Sequence, residues 1–97
     1  MHVITYKRIK EFILKHPQSS VALGHWYKKM KRSTPESVND VKRIFNNTDY
    51  IGNDRFVFNI CGNKYRLIAV IFISTQIILI RFIGTHEEYD RIDCRKI

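Results

Sequence analysis

The first half of the chain places apolar residues at the three- and four-residue spacing of amphipathic helices. In 5–15, TYKRIKEFILK, this spacing predicts a helix that is capped by Thr5 and ended by Pro17. The same pattern predicts a second helix over 19–32, SSVALGHWYKKMKR, and a short third helix over 36–45, ESVNDVKRIF. The residues expected to face inward are Tyr6, Ile9, Phe12, Ile13, Ala22, Trp26, Tyr27, Met30, Val38, Val41, Ile44 and Phe45, with either Val21 or Leu23.

Strand-like segments follow the helices, rich in β-branched and aromatic residues and separated by short polar turns. The predicted strands are 49–51, 55–61, 64–73 and 76–83, and Val3 and Ile4 have the composition of a short edge strand. A final helical turn, THEEYD, begins at Thr85. Residues 1–97 are thus predicted to form a single α+β domain, in which helices pack on one face of a twisted antiparallel sheet.

The dipeptide Gly62-Asn63 is a typical two-residue hairpin turn, and it predicts which strand residues face each other. With this turn, Asn59 lies opposite Arg66. Because side chains alternate between faces, one face collects the apolar residues Phe56, Phe58, Ile60, Tyr65, Leu67, Ala69 and Ile71 and is expected to be the core. The other face, called here the polar face, collects Arg55, Val57, Asn59, Lys64, Arg66 and Ile68.

The next turn, around Ser74-Thr75, adds the last strand to this pattern. It is expected to place Ile68 opposite Arg81 and Leu67 opposite Phe82. Arg81 would then join the polar face, whereas Phe82 would extend the core.

The charge of the chain indicates a polyanionic partner. The net charge is +8; residues 1–45 hold ten Lys and Arg against three acids, and residues 46–97 hold seven against six. The polar face carries four cations, one Asn and no acid. A face that is merely solvated usually mixes both signs, so this composition favours a phosphate-binding surface.

The remaining composition argues against a membrane or secreted protein. The apolar run 67–83 is divided by Ser74-Thr75-Gln76 and contains Arg81, so two buried strands explain it better than a membrane span. The N-terminal MHVITYKRIK has no apolar signal-peptide core, and Cys61 and Cys94 are read as free thiols of a cytosolic protein.

Two residues of the last helical turn are candidates for proton transfer. His86 and Tyr89 are three residues apart, so they lie on the same side of a helical turn. Histidine exchanges a proton near neutral pH, and tyrosine serves where its environment lowers its pKa. Since these residues directly follow the strand that carries Arg81, the tail is expected to fold back over the polar face.

Two motifs in these segments resemble a known family. The patterns GN-x-x-x-VFNI-x-GNKYRL, from residue 52, and GTH-x-x-YD, from residue 84, strongly resemble the HigB family of bacterial type II toxins within the RelE-like group. The resemblance extends over nearly the whole chain, including KRIKEFILKHP and ALGHWY. It implies the RelE-like microbial RNase fold, with the active site on the concave face of the sheet.

The resemblance also implies an activity and partners. The expected activity is that of a metal-independent endoribonuclease, without a cofactor, that cuts mRNA during translation on the ribosome. The expected partner is a HigA-type antitoxin, a helix-turn-helix protein that binds the toxin, and operator DNA is expected to be contacted only through that antitoxin. A bacterial cytoplasmic location follows. In keeping with this, no carboxylate, His or Cys cluster has the spacing of metal ligands.

In metal-free cleavage the 2′-OH of RNA attacks the adjacent phosphate, which needs a base, an acid and cations around the phosphate. The expected catalytic residues are Arg66 and Arg81 as phosphate stabilisers, Lys64 as a further stabiliser or as a base with a lowered pKa, and His86 and Tyr89 in proton transfer. The expected RNA-binding residues are Asn59, which positions the nucleotide, together with Asn53 and Arg55. A turn Asn such as Asn53 is more often selected for its backbone conformation.

Two other functions fit the same residues. A non-catalytic RNA-binding module would use the polar face only to hold phosphate, with salt-sensitive binding and no cleavage. A protein-interaction subunit would use the basic helical first half to dock an acidic partner, and this surface is also the expected contact for part of the antitoxin.

Overall fold

A computed structural model describes residues 1–97 as a five-stranded sheet with helices on one face. The elements in chain order are β1 His2–Val3, α1 Tyr6–Lys15, a 3₁₀ turn Pro17–Ser19, α2 Ser20–Arg32, α3 Val38–Ile44, β2 Thr48–Tyr50, β3 Arg55–Ile60, β4 Tyr65–Phe72, β5 Ile77–Thr85 and α4 His86–Asp90. The strand order across the sheet is β1-β5-β4-β3-β2. The predicted α+β architecture is confirmed.

The sheet is mixed, however, and the prediction of a wholly antiparallel sheet is wrong at one edge. The strands β2 to β5 form an antiparallel meander, but β1 pairs with β5 in parallel. Because β1 leads into α1 and not into a hairpin, no tight turn forces it to run antiparallel to its neighbour. The hydroxyl of Thr5 continues this pairing, since it accepts a hydrogen bond from the amide of Ile80. The predicted capping of α1 by the Thr5 side chain is therefore wrong, because this side chain bonds to β5 instead.

The core lies between the helices and one face of the sheet. Leu23 of α2 is completely buried, whereas Val21 is 83% exposed, which decides the alternative left open by the sequence. The Trp26 ring meets the Phe58 ring edge-on, with centroids 5.3 Å apart. The buried cluster is Val3, Ile9, Phe12, Leu23, Trp26, Met30, Val41, Phe56, Phe58, Ile60, Tyr65, Leu67, Ala69, Ile71, Ile78 and Ile80. Each large side chain in it contributes about 1.5–3 kcal/mol relative to exposure.

The register between β3 and β4 is the predicted one. Asn59 pairs with Arg66 and Ile60 with Tyr65. The amide of Lys64 bonds to the carbonyl of Cys61 at 3.3 Å and closes the turn. Asn59 and Arg66 are therefore neighbours on the face opposite the core, as the two-residue turn predicted.

The register between β4 and β5 contains a β-bulge that the sequence analysis did not predict. Ala69 pairs with Ile80, as expected, but Ile68 pairs with Phe82, so that Arg81 is the extra residue. The predicted pairing of Ile68 with Arg81 and the placement of Phe82 in the core are therefore wrong. An inserted residue reverses the alternation of faces beyond it, so Phe82 lies on the polar face.

The polar face is not open along its whole length. Val57, Ile68 and Val70 lie on it, yet they are only 3%, 0% and 7% exposed and do not belong to the core cluster. The C-terminal segment 91–97 returns to this side, where the carbonyl of Ile97 accepts a hydrogen bond from Nε of Arg55 at 2.9 Å. The middle of the face is thus covered, and its open part lies towards the hairpin turn and α4.

The apolar run 67–83 forms β4 and β5, and none of the helices has the length and apolar composition of a membrane span.

Candidate active site

The hairpin turn between β3 and β4 carries the first part of the site. Arg66 is partly buried, and its Nη1 donates to the carbonyls of Asn63 and Tyr65, at 3.3 Å each. These bonds hold the guanidinium beside the turn, with its other N–H groups left for a ligand. Lys64 is exposed at the end of the same turn. The predicted group of Asn59, Lys64 and Arg66 is therefore present at one end of the sheet.

The short helix α4 begins where β5 ends, and its start is fixed by a capping box. The Thr85 hydroxyl accepts from the amide of Glu88 at 3.2 Å, and the Glu88 carboxylate accepts from the amide of Thr85 at 2.9 Å. The bond from the Thr85 amide is the main cause that lowers the pKa of Glu88 below its ordinary value. The amide of His86 donates to the carbonyl of Lys64 at 3.2 Å. This bond attaches α4 to the hairpin turn, and the capping box fixes the start of the helix.

His86 is exposed and is held by a residue that the sequence analysis missed. Its Nδ1 lies 3.1 Å from a carboxylate oxygen of Asp90, one helical turn away. With Nδ1 engaged in this way, Nε2 is the ring nitrogen left to face a substrate. The four-residue spacing within THEEYD was a sufficient signal, because residues i and i+4 of a helix are neighbours.

Tyr89 lies against Arg66, as the predicted return of the tail over the polar face requires. The guanidinium carbon of Arg66 is 5.8 Å from the centroid of the Tyr89 ring. Burial, then the hydrogen bond with Cys94, raises the pKa of Tyr89 to about 12, although the charge of Arg66 acts in the lowering direction. This direction is opposite to the one that a general base needs. Tyr89 therefore keeps its proton at neutral pH and can donate a hydrogen bond.

Arg81 is the extra residue of the bulge, and it lies away from the rest of the site. It is exposed, and it lies three residues before Gly84, the direct partner of Arg66, or about 10 Å along the strand. Nη1 of Arg8 donates to the carbonyl of Arg81 at 3.2 Å. The structure thus adds a second cation, Arg8, beside Arg81, and this pair is distinct from the group around Arg66.

Asn53 and Arg55 are also not brought to the group around Arg66. Arg55 begins β3, four residues or about 13 Å from Asn59. Its guanidinium is engaged by the carbonyls of Ile97 and Asn53, at 2.9 and 3.1 Å. Asn53 is exposed and has a φ of 50°, in the left-handed region that turn Asn residues tolerate.

A polar cleft lies next to Asn59, at the edge of the sheet. Its volume is about 410 Å³, and its lining includes Lys29 and Arg43 but no carboxylate. The polar side chains that line it with these two are His25, Asn46, Asn47 and Asn59. Asn59, the strand partner of Arg66, thus also lines a cleft whose charged side chains are cations only.

The class of this basic α+β protein is identified by its match to a family model. The family model described as HigB_toxin, RelE-like toxic component of a toxin-antitoxin system, matches residues 19–92. The chain belongs to this family, which confirms the resemblance of its two motifs, and it is therefore a HigB-type toxin of a toxin-antitoxin system.

Individual relatives cover nearly the whole chain. It is 39% identical over 93 residues to the mRNA interferase toxin HigB of Escherichia coli strain K12 and to the mRNA interferase HigB of Shigella flexneri, an alignment that spans 93% of this chain and 88% of each relative. It is 28% identical over 94 residues to the mRNA interferase HigB of Escherichia coli O6:H1, which spans 95% of this chain and 91% of that relative.

Proposed function

We propose that this toxin is an endoribonuclease that cuts mRNA at the group formed by Lys64, Arg66, His86 and Tyr89. The observation that carries the proposal is the attachment of α4 to the hairpin turn, which brings His86 and Tyr89 to the turn that carries Lys64 and Arg66. The relatives named as mRNA interferases support the substrate class. The net charge of +8 supports a polyanionic substrate.

In the proposed reaction Arg66 binds the phosphate that is cleaved. Nε2 of His86 takes the proton of the 2′-OH, whose oxygen then attacks the phosphorus. The bond between phosphorus and the 5′ oxygen breaks, and Tyr89 gives its proton to that oxygen. The products are a 2′,3′-cyclic phosphate and a free 5′-OH. Tyr89 carries its proton at neutral pH, as a general acid requires, although the raised pKa makes it a weaker acid than an ordinary tyrosine.

The remaining candidates take supporting roles in this proposal. Lys64, exposed at the turn, stabilises the negative charge that grows on the phosphate. Asn59 positions the nucleotide between the Arg66 group and the polar cleft. Arg81, with Arg8, contacts the phosphate of a flanking nucleotide. Asn53 and Arg55 lie far from Arg66, so their proposed contact is also with a flanking nucleotide.

The proposed setting is the bacterial cytoplasm, where the toxin cuts messages that are being translated on the ribosome. A HigA-type helix-turn-helix antitoxin is the proposed inhibitor, and operator DNA is reached only through it. Part of the proposed antitoxin contact is the basic tail of α2, which contains Lys28, Lys29, Lys31 and Arg32. The family, as the toxic component of a toxin-antitoxin system, supports an inhibitor of this kind.

Tightly induced expression tests the proposed activity. Wild-type protein is expected to arrest growth and to create new 5′ ends in a translated message, read by primer extension. Arg66→Ala is expected to abolish both, whereas Arg95→Ala, which removes an exposed arginine of the C-terminal segment, is expected to behave as wild type. Salt-sensitive RNA binding by folded wild-type protein without any new 5′ end would instead establish the non-catalytic binding module.

A further inference from the structure

The β-bulge in β5 places an aromatic side chain beside the proposed phosphate site. Phe82 pairs with Ile68, and Gly84 pairs with Arg66, so all four lie on the polar face. Phe82 is only partly buried, although Ile68 beside it is fully buried. An aromatic ring that stays accessible next to a phosphate-binding arginine is a typical feature of single-strand RNA recognition.

The lack of a side chain at Gly84 leaves the space that the Phe82 ring occupies. A Cβ added at Gly84 would overlap the ring, with Cε2 at 3.0 Å and Cε1 at 3.1 Å. The ring therefore occupies the space that any other residue at position 84 would fill. Since Gly84 is the direct cross-strand partner of Arg66, the ring lies across the strand position opposite the phosphate-binding arginine. Tyr89 contacts the same guanidinium.

We propose that the Phe82 ring, seated on Gly84, is a base-binding subsite that stacks an unpaired nucleobase next to the phosphate held by Arg66. This inference rests on the proposed function, because it requires RNA on the polar face. Stacking accepts every base, since each base has a π-face. The subsite therefore holds the nucleotide in position, and base preference arises from other contacts.

The competing explanation is that Phe82 only covers Ile68 as part of a small apolar cluster. The two explanations predict different results for two substitutions of Phe82. Phe82→Leu keeps apolar packing but has no ring, whereas Phe82→Trp keeps an aromatic ring system. Phe72 offers a matched control, because it lies on the same face of β4 and is 39% exposed, but it is six residues or about 20 Å from Arg66.

The first experiment measures cleavage of a translated message in a reconstituted translation reaction, as a function of message concentration. Phe82→Leu is expected to raise the concentration for half-maximal cleavage by about 5- to 150-fold, the range that corresponds to the stacking of one base. Phe82→Trp is expected to stay close to wild type, and so is Phe72→Leu. Cleavage by Phe82→Leu that equals that of Phe72→Leu would overturn the subsite.

A second readout does not depend on the fold of the leucine variant. The native chain has one tryptophan, Trp26, which is completely buried. In Phe82→Trp, a short single-stranded RNA with 2′-O-methyl groups, which cannot be cleaved, is expected to quench the fluorescence of the introduced indole. The wild-type chain should show little quenching. Fluorescence of Phe82→Trp that stays unquenched at RNA concentrations that saturate binding would overturn the inference.

The two proposals fail in different ways. If wild type does not cleave, or if Arg66→Ala cleaves normally, the proposed function fails, and the subsite fails with it. If Arg66→Ala loses cleavage while Phe82→Leu cleaves as wild type does, the nuclease stands and only the subsite is wrong.

Discussion

The amide of His86 donates a hydrogen bond to the carbonyl of Lys64, at 3.2 Å. One backbone bond thus joins the first residue of α4 to the last residue of the hairpin turn. An isolated helix of five residues is not stable in water. The position of His86 and Tyr89 therefore depends on this bond and on the cap at Thr85.

Removal of the α4 cap should reduce the cleavage rate as well as the stability of the fold. Thr85→Ala removes the hydroxyl that accepts from the Glu88 amide. It should lower the free energy of unfolding by about 0.5–2 kcal/mol and reduce cleavage, because His86 and Tyr89 are no longer fixed. Thermal unfolding and the cleavage rate, measured on the same protein, check both effects.

Ser37→Ala is the matched control for that prediction. Ser37 caps α3 by accepting from the amide of Asp40 at 3.2 Å, far along the chain from the proposed site. Its loss should reduce stability by a similar amount and leave cleavage unchanged. Equal cleavage by Thr85→Ala and Ser37→Ala would mean that the cap does not position the catalytic group.

The contribution of Glu88 to stability should depend on pH. Its pKa is lowered from 4.5 in the folded state, first by the hydrogen bond from the Thr85 amide. A group with a lowered folded pKa stabilises the fold fully above its unfolded pKa, and this stabilisation is lost as the pH falls through the folded pKa. Glu88→Gln should therefore unfold at a lower temperature than wild type at neutral pH. The difference should shrink below pH 4.5.

Glu87→Gln serves as the control for this titration. Glu87 is a neighbouring exposed carboxylate in the first turn of α4, without a role in the capping box. Its substitution should change the unfolding temperature at neutral pH less than Glu88→Gln does, because it removes no bond of the capping box. A pH-independent difference between wild type and Glu88→Gln would contradict the capping role of the carboxylate.

Tyr89 should stay protonated at pH values where an ordinary tyrosine ionises. Its pKa is raised from 10.0 to about 12, mainly by burial. In a spectroscopic pH titration, the difference between wild type and Tyr89→Phe should show no tyrosinate step at pH 10. As the proposed acid, Tyr89 should also contribute to rate, so Tyr89→Phe should reduce cleavage by about 100- to 10,000-fold. A step near the ordinary value would show that the residue is not desolvated.

Gly84 and Phe82 should be coupled in stability. Gly84→Ala places a methyl group in the space of the Phe82 ring, and overpacking of this kind costs about 1–3 kcal/mol. In a Phe82→Ala background the same substitution should cost much less, since the ring is gone. Denaturant unfolding of the four proteins of this double-mutant cycle measures the coupling.

Gly24→Ala provides the control for the glycine substitution. Gly24 lies in α2, and beyond its chain neighbours and the backbone of its own helix no atom lies within 4 Å of a Cβ added there. This change should stabilise the protein by about 0.5–1 kcal/mol, because alanine favours a helix interior more than glycine does. A similar gain for Gly84→Ala would show that the Phe82 ring does not occupy that space.

The sequence was sufficient where a helical period or one tight turn decides structure. Helical spacing and the Gly62-Asn63 turn predicted the helices and the pairing of Asn59 with Arg66. These features depend on neighbouring residues, or on the single register that one tight turn allows.

The sequence was insufficient wherever distant contacts decide structure. The bulge has no signature in the residues around Arg81, and contacts from Thr5 and Arg8 meet the backbone of β5 at this point. The direction of β1 is set by its tertiary docking on β5. The pKa of Tyr89 depends on burial by a tail whose path the local pattern does not define.

The bulge also means that one strand serves two purposes along its length. Up to Ile80, β5 supplies apolar side chains to the helical side, and beyond the extra residue it presents Phe82 to the polar face. If Arg81 took an ordinary paired place in the ladder, these roles would be exchanged for every later position of the strand. The Phe82 ring would turn towards the core, and Ile83 would lie opposite Arg66. A change that closes the bulge can therefore alter the site without replacing any residue of the group formed by Lys64, Arg66, His86 and Tyr89.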